Sequence, residues 1–365
     1  MPSLSQRFDV VDAAKAAAVV FIMLHHFAAY GPLSDAAGDA TPGLIAWFYE
    51  YGRLAVQVFL VCGGYLAARA LAPDGQLSVA PAIAVANRYL RLALPFLAAV
   101  VLAIAASELA AQWMEDDEFI SAAPRLGQLL AHAALLQGVL HYESLSAGAW
   151  YVAIDFQLFA LLAALLWLAR VLPGQAEGRR KYGVLIVLAL ALASTLWFNR
   201  QPQLDDWAPY FFASYAMGVF AYWAGRGLRT AQIAQSILLY VALVGLLLEF
   251  RIRVPVAIAT ALLLHLSHAP ALRAWRAPRR VAQLARISYS LFLVHVSVYL
   301  LVSAAFLHFD LDDTALGGFA GVALSLALSV GFATLFHRRL EAPAASLRFG
   351  PARRPVPGSF ALGAG

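Results

Sequence analysis

Runs of about twenty mostly apolar residues recur along this chain from end to end, and no other feature constrains its fold as strongly. A helix needs roughly 17–25 such residues to cross a bilayer, where every backbone N–H and C=O must be satisfied without water. Ten segments qualify, near residues 13–30, 50–70, 91–110, 148–170, 182–198, 208–224, 235–250, 254–268, 287–308 and 315–336. The eighth is short, which suggests a tilt, a kink or partial re-entry. The stretch RLGQLLAHAALLQGVLHY at 125–142 is apolar but broken by two histidines, and reads as interfacial or partly inserted. The predicted fold class is an all-α integral membrane protein of about ten transmembrane helices.

Composition agrees with this. Of 365 residues, 62% are hydrophobic and only 13% charged, against about 25% charged in a soluble domain. No polar stretch is long enough to build an appended globular domain. The predicted organisation is one membrane unit over 1–345 and a disordered cytoplasmic tail, rich in Gly, Pro and Arg, over 346–365. The first apolar run ends in histidines and precedes no small-residue cleavage pattern, which argues against a removable signal peptide. The single cysteine, Cys62, lies in an apolar run and can form no intrachain disulfide.

The net charge of +5 raises the question of a nucleic-acid partner, and its distribution answers it. The N-terminus, the even-numbered loops and the C-terminus hold about twenty of the 26 Lys and Arg, whereas odd loops such as SDAAGD, MEDDEF, QPQLDDW and DLDD are acidic. Only the seventh loop, EFRIRV, runs against the trend. This alternation places both termini in the cytoplasm by the positive-inside rule, in the inner membrane of a cell. A nucleic-acid surface would cluster its basic residues, so none is expected.

Ionisable residues inside apolar runs are costly and mark candidate sites. Lys15 and His26 are eleven residues apart, which returns a helix to within roughly 20° of one face after a rise of about 16 Å. His25 points about a quarter-turn away. Asp12, three residues before Lys15, is close enough to pair with it. Imidazole exchanges protons readily near neutral pH. The bland alternatives are polar glue for His26 and snorkelling for Lys15. Asp155, in WYVAIDFQLF, must be neutral or paired with a cation or histidine. His295 lies seven residues after Ser288 and so shares its helix face. A histidine, an aspartate, and a second histidine sharing a face with a serine, on three separate helices, suggest a polar cavity. Arg88 and Arg91, one turn apart in NRYLRLALP, form a fork suited to phosphate, or an ordinary positive-inside flank. Gly63 and Gly64 permit close backbone approach. There is no Walker loop, GxSxG elbow or HExxH pair, and adjacent His25 and His26 diverge too far for a metal site, so no metal is expected.

In order along the chain, FDVVDAAKAAAVVFIMLHHF, VFLVCGGYLAARAL, NRYLRLALPFL, AWYVAIDFQLFALL, ISYSLFLVHVSVY and FHRRLEAPA resemble six motifs of the acyltransferase 3 family, the polytopic membrane acyltransferases that O-acylate sugars. The resemblance runs from about residue 8 to 345. It departs from the family where Lys15 stands for the usual arginine, Asp155 for the usual glutamate, and Cys62-Gly63-Gly64 for the usual Ser-Gly pair. The family's fused extracytoplasmic hydrolase-like domain is missing, so transfer is expected within the membrane unit or with a separate partner.

The resemblance implies an acyl-CoA donor, acetyl-CoA above all, and a glycan or lipid-linked sugar acceptor, with polysaccharide-synthesis machinery as a further partner. It singles out His26 as the general base or the carrier of a covalent acyl relay. Lys15, held by Asp12, would orient the first helix or bind donor, and Arg88 and Arg91 would hold the donor's phosphates. Asp155 and His295 would position acceptor or tune His26, supported by Trp150, Tyr151, Ser288 and Tyr289. Two other classes use the same residues: a proton-coupled exporter of a glycan or lipid, and a non-catalytic partner of a polysaccharide synthase.

Overall fold

The protein is described here by a computed structural model, which covers residues 9–115 and 119–350. Every element among the described residues is helical. In chain order these are α1 (Asp9–Ala29), α2 (Pro32–Ala40), α3 (Pro42–Tyr51), α4 (Ala55–Leu71), α5 (Pro81–Ala110), α6 (Leu126–Ala133), α7 (Ala149–Val171), α8 (Ala176–Leu196), α9 (Ala208–Gly225), α10 (Arg229–Leu248), α11 (Arg253–Leu266), α12 (Pro270–Ala274), α13 (Arg279–His308), α14 (Ala315–Phe336) and α15 (Ala342–Ser346). A π-helical turn, His337–Glu341, joins the last two. Proline at the first turn opens α2, α3, α5, α9 and α12, where its missing N–H costs no intrahelical bond.

Eight helices among the described residues are long and apolar enough to cross a membrane, against the ten segments expected. The two predicted spans that fall short are both helical. α9 carries four tyrosine or tryptophan rings along its buried length and is almost wholly enclosed, so its environment is protein and its composition is not that of a lipid-facing span. α11 has only 14 residues. The stretch at 125–142 contributes the eight-residue α6. There the Tyr89 hydroxyl donates to Ala133 O at 2.6 Å, and the His132 ring stacks on Phe96 with centroids 6.2 Å apart. His132 Nδ1 donates to Gln128 O and its Nε2 accepts from Leu145 N, so the segment is folded into the protein through its histidine.

The helices gather around two centres. α9 is wrapped by α4, α7, α8, α10 and α11, while α13 is packed by α1, α5 and α14, and the groups meet where α1 touches α4 and α5 touches α7. Lipid tails give helices no hydrophobic reason to associate, so close backbone packing and polar contacts must do so. Gly64 and Gly218 supply the first: a Cβ on Gly64 would strike the Tyr215 carbonyl, and one on Gly218 the Val61 carbonyl. α5 contains Pro95, whose ring removes one internal hydrogen bond. In the same turn the Tyr289 hydroxyl donates to Leu92 O at 2.8 Å, tying α13 to α5.

Of the stretch assigned to a tail, Ser346 ends α15. Phe349 is bonded both ways to the Asn87 side chain, at 2.6 and 3.2 Å. Residues 351–365 lie outside the described residues.

Candidate active site

The innermost polar pair is His26 on α1 and His295 on α13. Both are buried, at 7% and 0% exposure. Their rings stack at 5.0 Å and 15°, with His26 Nδ1 2.8 Å from His295 Nε2. The tautomers follow from the partners. His295 Nδ1 lies 2.9 Å from Leu291 O; a carbonyl only accepts, so this nitrogen carries the proton. In neutral His295 the Nε2 is then an acceptor, and His26 Nδ1 must donate to it. His26 Nε2 is left with its lone pair and, among the described residues, no hydrogen bond. Nearby, the Tyr299 hydroxyl donates to Phe27 O at 2.9 Å, which fixes α1 against α13 at this level. His25 turns the other way: its Nδ1 meets Tyr49 O of α3 at 2.8 Å.

Below the histidines, Phe59, Tyr151 and Phe292 form an aromatic collar with ring centroids 5.4 to 6.1 Å apart, and Phe292 also touches the His295 ring. Trp150 packs on Tyr151 and Phe211. The collar rests on an ion pair. Arg88 Nη2 bonds Asp155 Oδ2, joining α5 to α7, and the guanidinium lies over the Phe159 ring at 5.4 Å. Asp155 thus has the cation its burial demands.

A third level holds Lys15 and Arg91. They lie within electrostatic reach of each other and of Glu341, yet neither makes an ion pair among the described residues. Glu341 accepts Ser290 Oγ at 2.6 Å and Ser290 N at 3.2 Å, and His337 Nδ1 at 3.0 Å. Lys15 and His26 are eleven positions apart on α1, a rise of about 16 Å.

Three expectations change. Arg88 and Arg91 do not form one fork, because Arg88 is committed to Asp155 while Arg91 is exposed. Asp12 is within electrostatic reach of Lys15, with no ion pair between the two. Ser288 is buried with its hydroxyl on Ala285 O of its own helix at 2.8 Å; two residues on, Ser290 makes the contact across helices. Sequence reasoning missed Ser290, Phe59, Phe292 and Tyr215. All four are common residues in apolar helices, and only their neighbours distinguish them.

A groove of about 680 Å³ between α5 and α7 is lined almost wholly by apolar side chains, among them Val85, Phe156, Trp167 and Phe349, and offers no titratable group suited to acid–base work near neutral pH. The polar column between α1, α4, α5, α7 and α13 is where chemistry can occur.

These features define a multi-pass membrane protein with a buried column of polar side chains. The profile of the acyltransferase 3 family, described as an acyltransferase domain, matches residues 8–337, and the chain belongs to that family. It is a membrane acyltransferase. The Glu341 contact lies just beyond the matched residues. No curated protein and no solved structure matches the chain.

Proposed function

We propose that this acyltransferase moves an acetyl group from cytoplasmic acyl-CoA to a hydroxyl of an extracytoplasmic or lipid-linked glycan. The observation that carries this reading is the His26–His295 pair, whose tautomers leave His26 Nε2 as an unprotonated base. As the acceptor oxygen attacks the thioester carbonyl carbon, Nε2 takes the hydroxyl proton. The C–S bond then breaks, the ester forms, and the Nε2 proton passes to the departing CoA thiolate. His295 Nε2, accepting from His26 Nδ1, favours the transient imidazolium.

Lys15 and Arg91, two cations without an ion-pair partner among the described residues, suit the donor's phosphates. Their separation from His26, about 16 Å along α1, leaves room for an extended donor arm to pass the Arg88–Asp155 pair and the collar. The alternating loop charges support an inner-membrane location with both termini cytoplasmic. Asp155 supports Arg88, and Trp150 and Tyr151 line the route.

The test uses membranes carrying wild type, His26→Ala and His25→Ala, supplied with acyl-labelled acetyl-CoA, and follows label into extracted glycan. A general base contributes about 10²–10⁴-fold, so His26→Ala should lose nearly all transfer while His25→Ala keeps it. Full transfer by His26→Ala would overturn the assignment. No transfer by wild type would favour a proton-coupled exporter, which uses the same residues as a relay.

A further inference from the structure

The Arg88–Asp155 pair satisfies only part of its own hydrogen-bonding capacity. Asp155 bonds Arg88 through Oδ2 alone. Its other oxygen, Oδ1, faces Gly63 of α4, where a β-carbon would lie 3.3 Å from Oδ1 and 3.2 Å from Cε2 of Tyr215. A β-carbon there would be in tight contact with both, so glycine is what lets the carboxylate and the tyrosine ring approach α4 this closely. Tyr215 is 1% exposed, and its hydroxyl has no hydrogen-bond partner among the described residues. Arg88 Nε is also buried and unpartnered. Arg88 and Asp155 are both within electrostatic reach of Tyr215.

Buried polar groups are almost always bonded, because an unpaired one forfeits its hydration without return. Two orphan donors beside one half-used carboxylate are therefore a built site. Nor is Tyr215 held loosely. Gly64 and Gly218 bring the backbones of α4 and α9 into direct contact, which fixes the Tyr215 backbone against α4.

The chemistry of the three groups specifies the ligand. Tyr215 Oη–H and Arg88 Nε–H donate, which calls for a carbonyl oxygen. Asp155 Oδ1 accepts, which calls for an N–H. A secondary amide offers both on adjacent atoms. Resting on the acyl-CoA reading above, we infer that Arg88, Asp155 and Tyr215 bind an amide of the donor's pantetheine arm, between the phosphate-binding cations and the histidine pair. Tyr215 is a binding residue for the donor; Arg88 and Asp155 orient the amide as well as each other.

The test measures donor affinity as ligand-induced thermal stabilisation in detergent, for wild type and Tyr215→Phe. Three probes are used: CoA, pantetheine (amides without the nucleotide), and adenosine 3′,5′-bisphosphate (phosphates without amides). Losing one buried hydrogen bond should weaken CoA and pantetheine about tenfold and leave the bisphosphate unchanged. Without ligand, Tyr215→Phe should melt no lower than wild type, because the hydroxyl it lacks was unpaired. A lower melting temperature without ligand would make the hydroxyl structural and overturn the inference. So would equal weakening of all three probes, or none. If wild type bound no CoA at all, the acyl-CoA reading would itself fail, a result distinct from wild type binding CoA with Tyr215→Phe unaffected.

Discussion

His26 and His295, on helices α1 and α13, share a single proton across 2.8 Å, and the carbonyl of Leu291 decides which nitrogen owns it. The consequence is directional. Remove the partner, and His26 can take either tautomer or rotate, so its Nε2 no longer presents a lone pair reliably.

His295→Ala is accordingly expected to lower kcat by about 10–100-fold while leaving donor KM within about twofold, since His295 acts through His26. His295→Gln, whose side-chain oxygen can still accept from Nδ1, should recover part of the loss. Steady-state kinetics on the purified protein decide the matter, and equal defects in both variants would remove the tautomer argument.

Arg88 and Asp155 illustrate a different dependence. Asp155 is 8% exposed at its side chain and Arg88 24%, so either charge left alone has little water to turn to. Arg88→Met and Asp155→Leu are each expected to destabilise the fold by about 3–5 kcal/mol. The double variant should lose clearly less than the sum of the two. Unfolding in detergent measures this cycle, and strict additivity would show that the two side chains do not support one another.

Lys15 and Arg91 make no ion pair among the described residues, so replacing either should cost binding more than folding. Lys15→Met and Arg91→Met are expected to raise the KM for acyl-CoA about tenfold each, with kcat little changed, and Lys15→Arg should stay near wild type because charge is kept. The same variants should show a weaker dependence on salt. A defect confined to kcat would assign these residues to the chemical step.

Outside the membrane-spanning helices, His268 Nε2 and the Tyr65 hydroxyl are hydrogen-bonded at 2.8 Å. Burial, then the charges of Arg273, His265 and Arg226, pushes its pKa down from 6.5 to about 4. The folded state therefore binds this proton more weakly than the unfolded chain. The stability His268 confers is complete above pH 6.5 and is lost progressively as pH falls from 6.5 toward 4. Thermal melts across that window should show the decline, and His268→Gln should flatten it. An unchanged slope in that variant would assign the decline to other groups.

How much of this was legible in the sequence depends on the range of the interaction involved. The apolar period and the spacing of Lys15 and His26 are local, and a helix converts such spacing into a shared face without further information. The ordered motifs from FDVVDAAK to ISYSLFLVH likewise carried the family. Arg88 and Arg91 resisted this treatment. One turn apart, they look like one fork, yet α7 supplies a carboxylate to the first and not to the second. Ser288 and Ser290 differ only in which of them meets Glu341 from beyond α14. Tyr215 could not be told from Tyr210 or Tyr222 on the same helix until Gly63, Asp155 and Arg88 surrounded it.

The sequence by itself determined a helical, multi-pass membrane protein and its family, because hydrophobic length and motif order need no partner to be read. Helical angle put His26 on the Lys15 face with His25 a quarter-turn away, and the family motif singled out His26. Only the tertiary structure decided that His26 leans on His295, that Arg88 answers Asp155, and that Lys15 and Arg91 make no ion pair among the described residues. Hydrogen bonds and ion pairs reach only a few ångströms, so residues 67 and 269 positions apart acquire their roles only when helix packing brings them together.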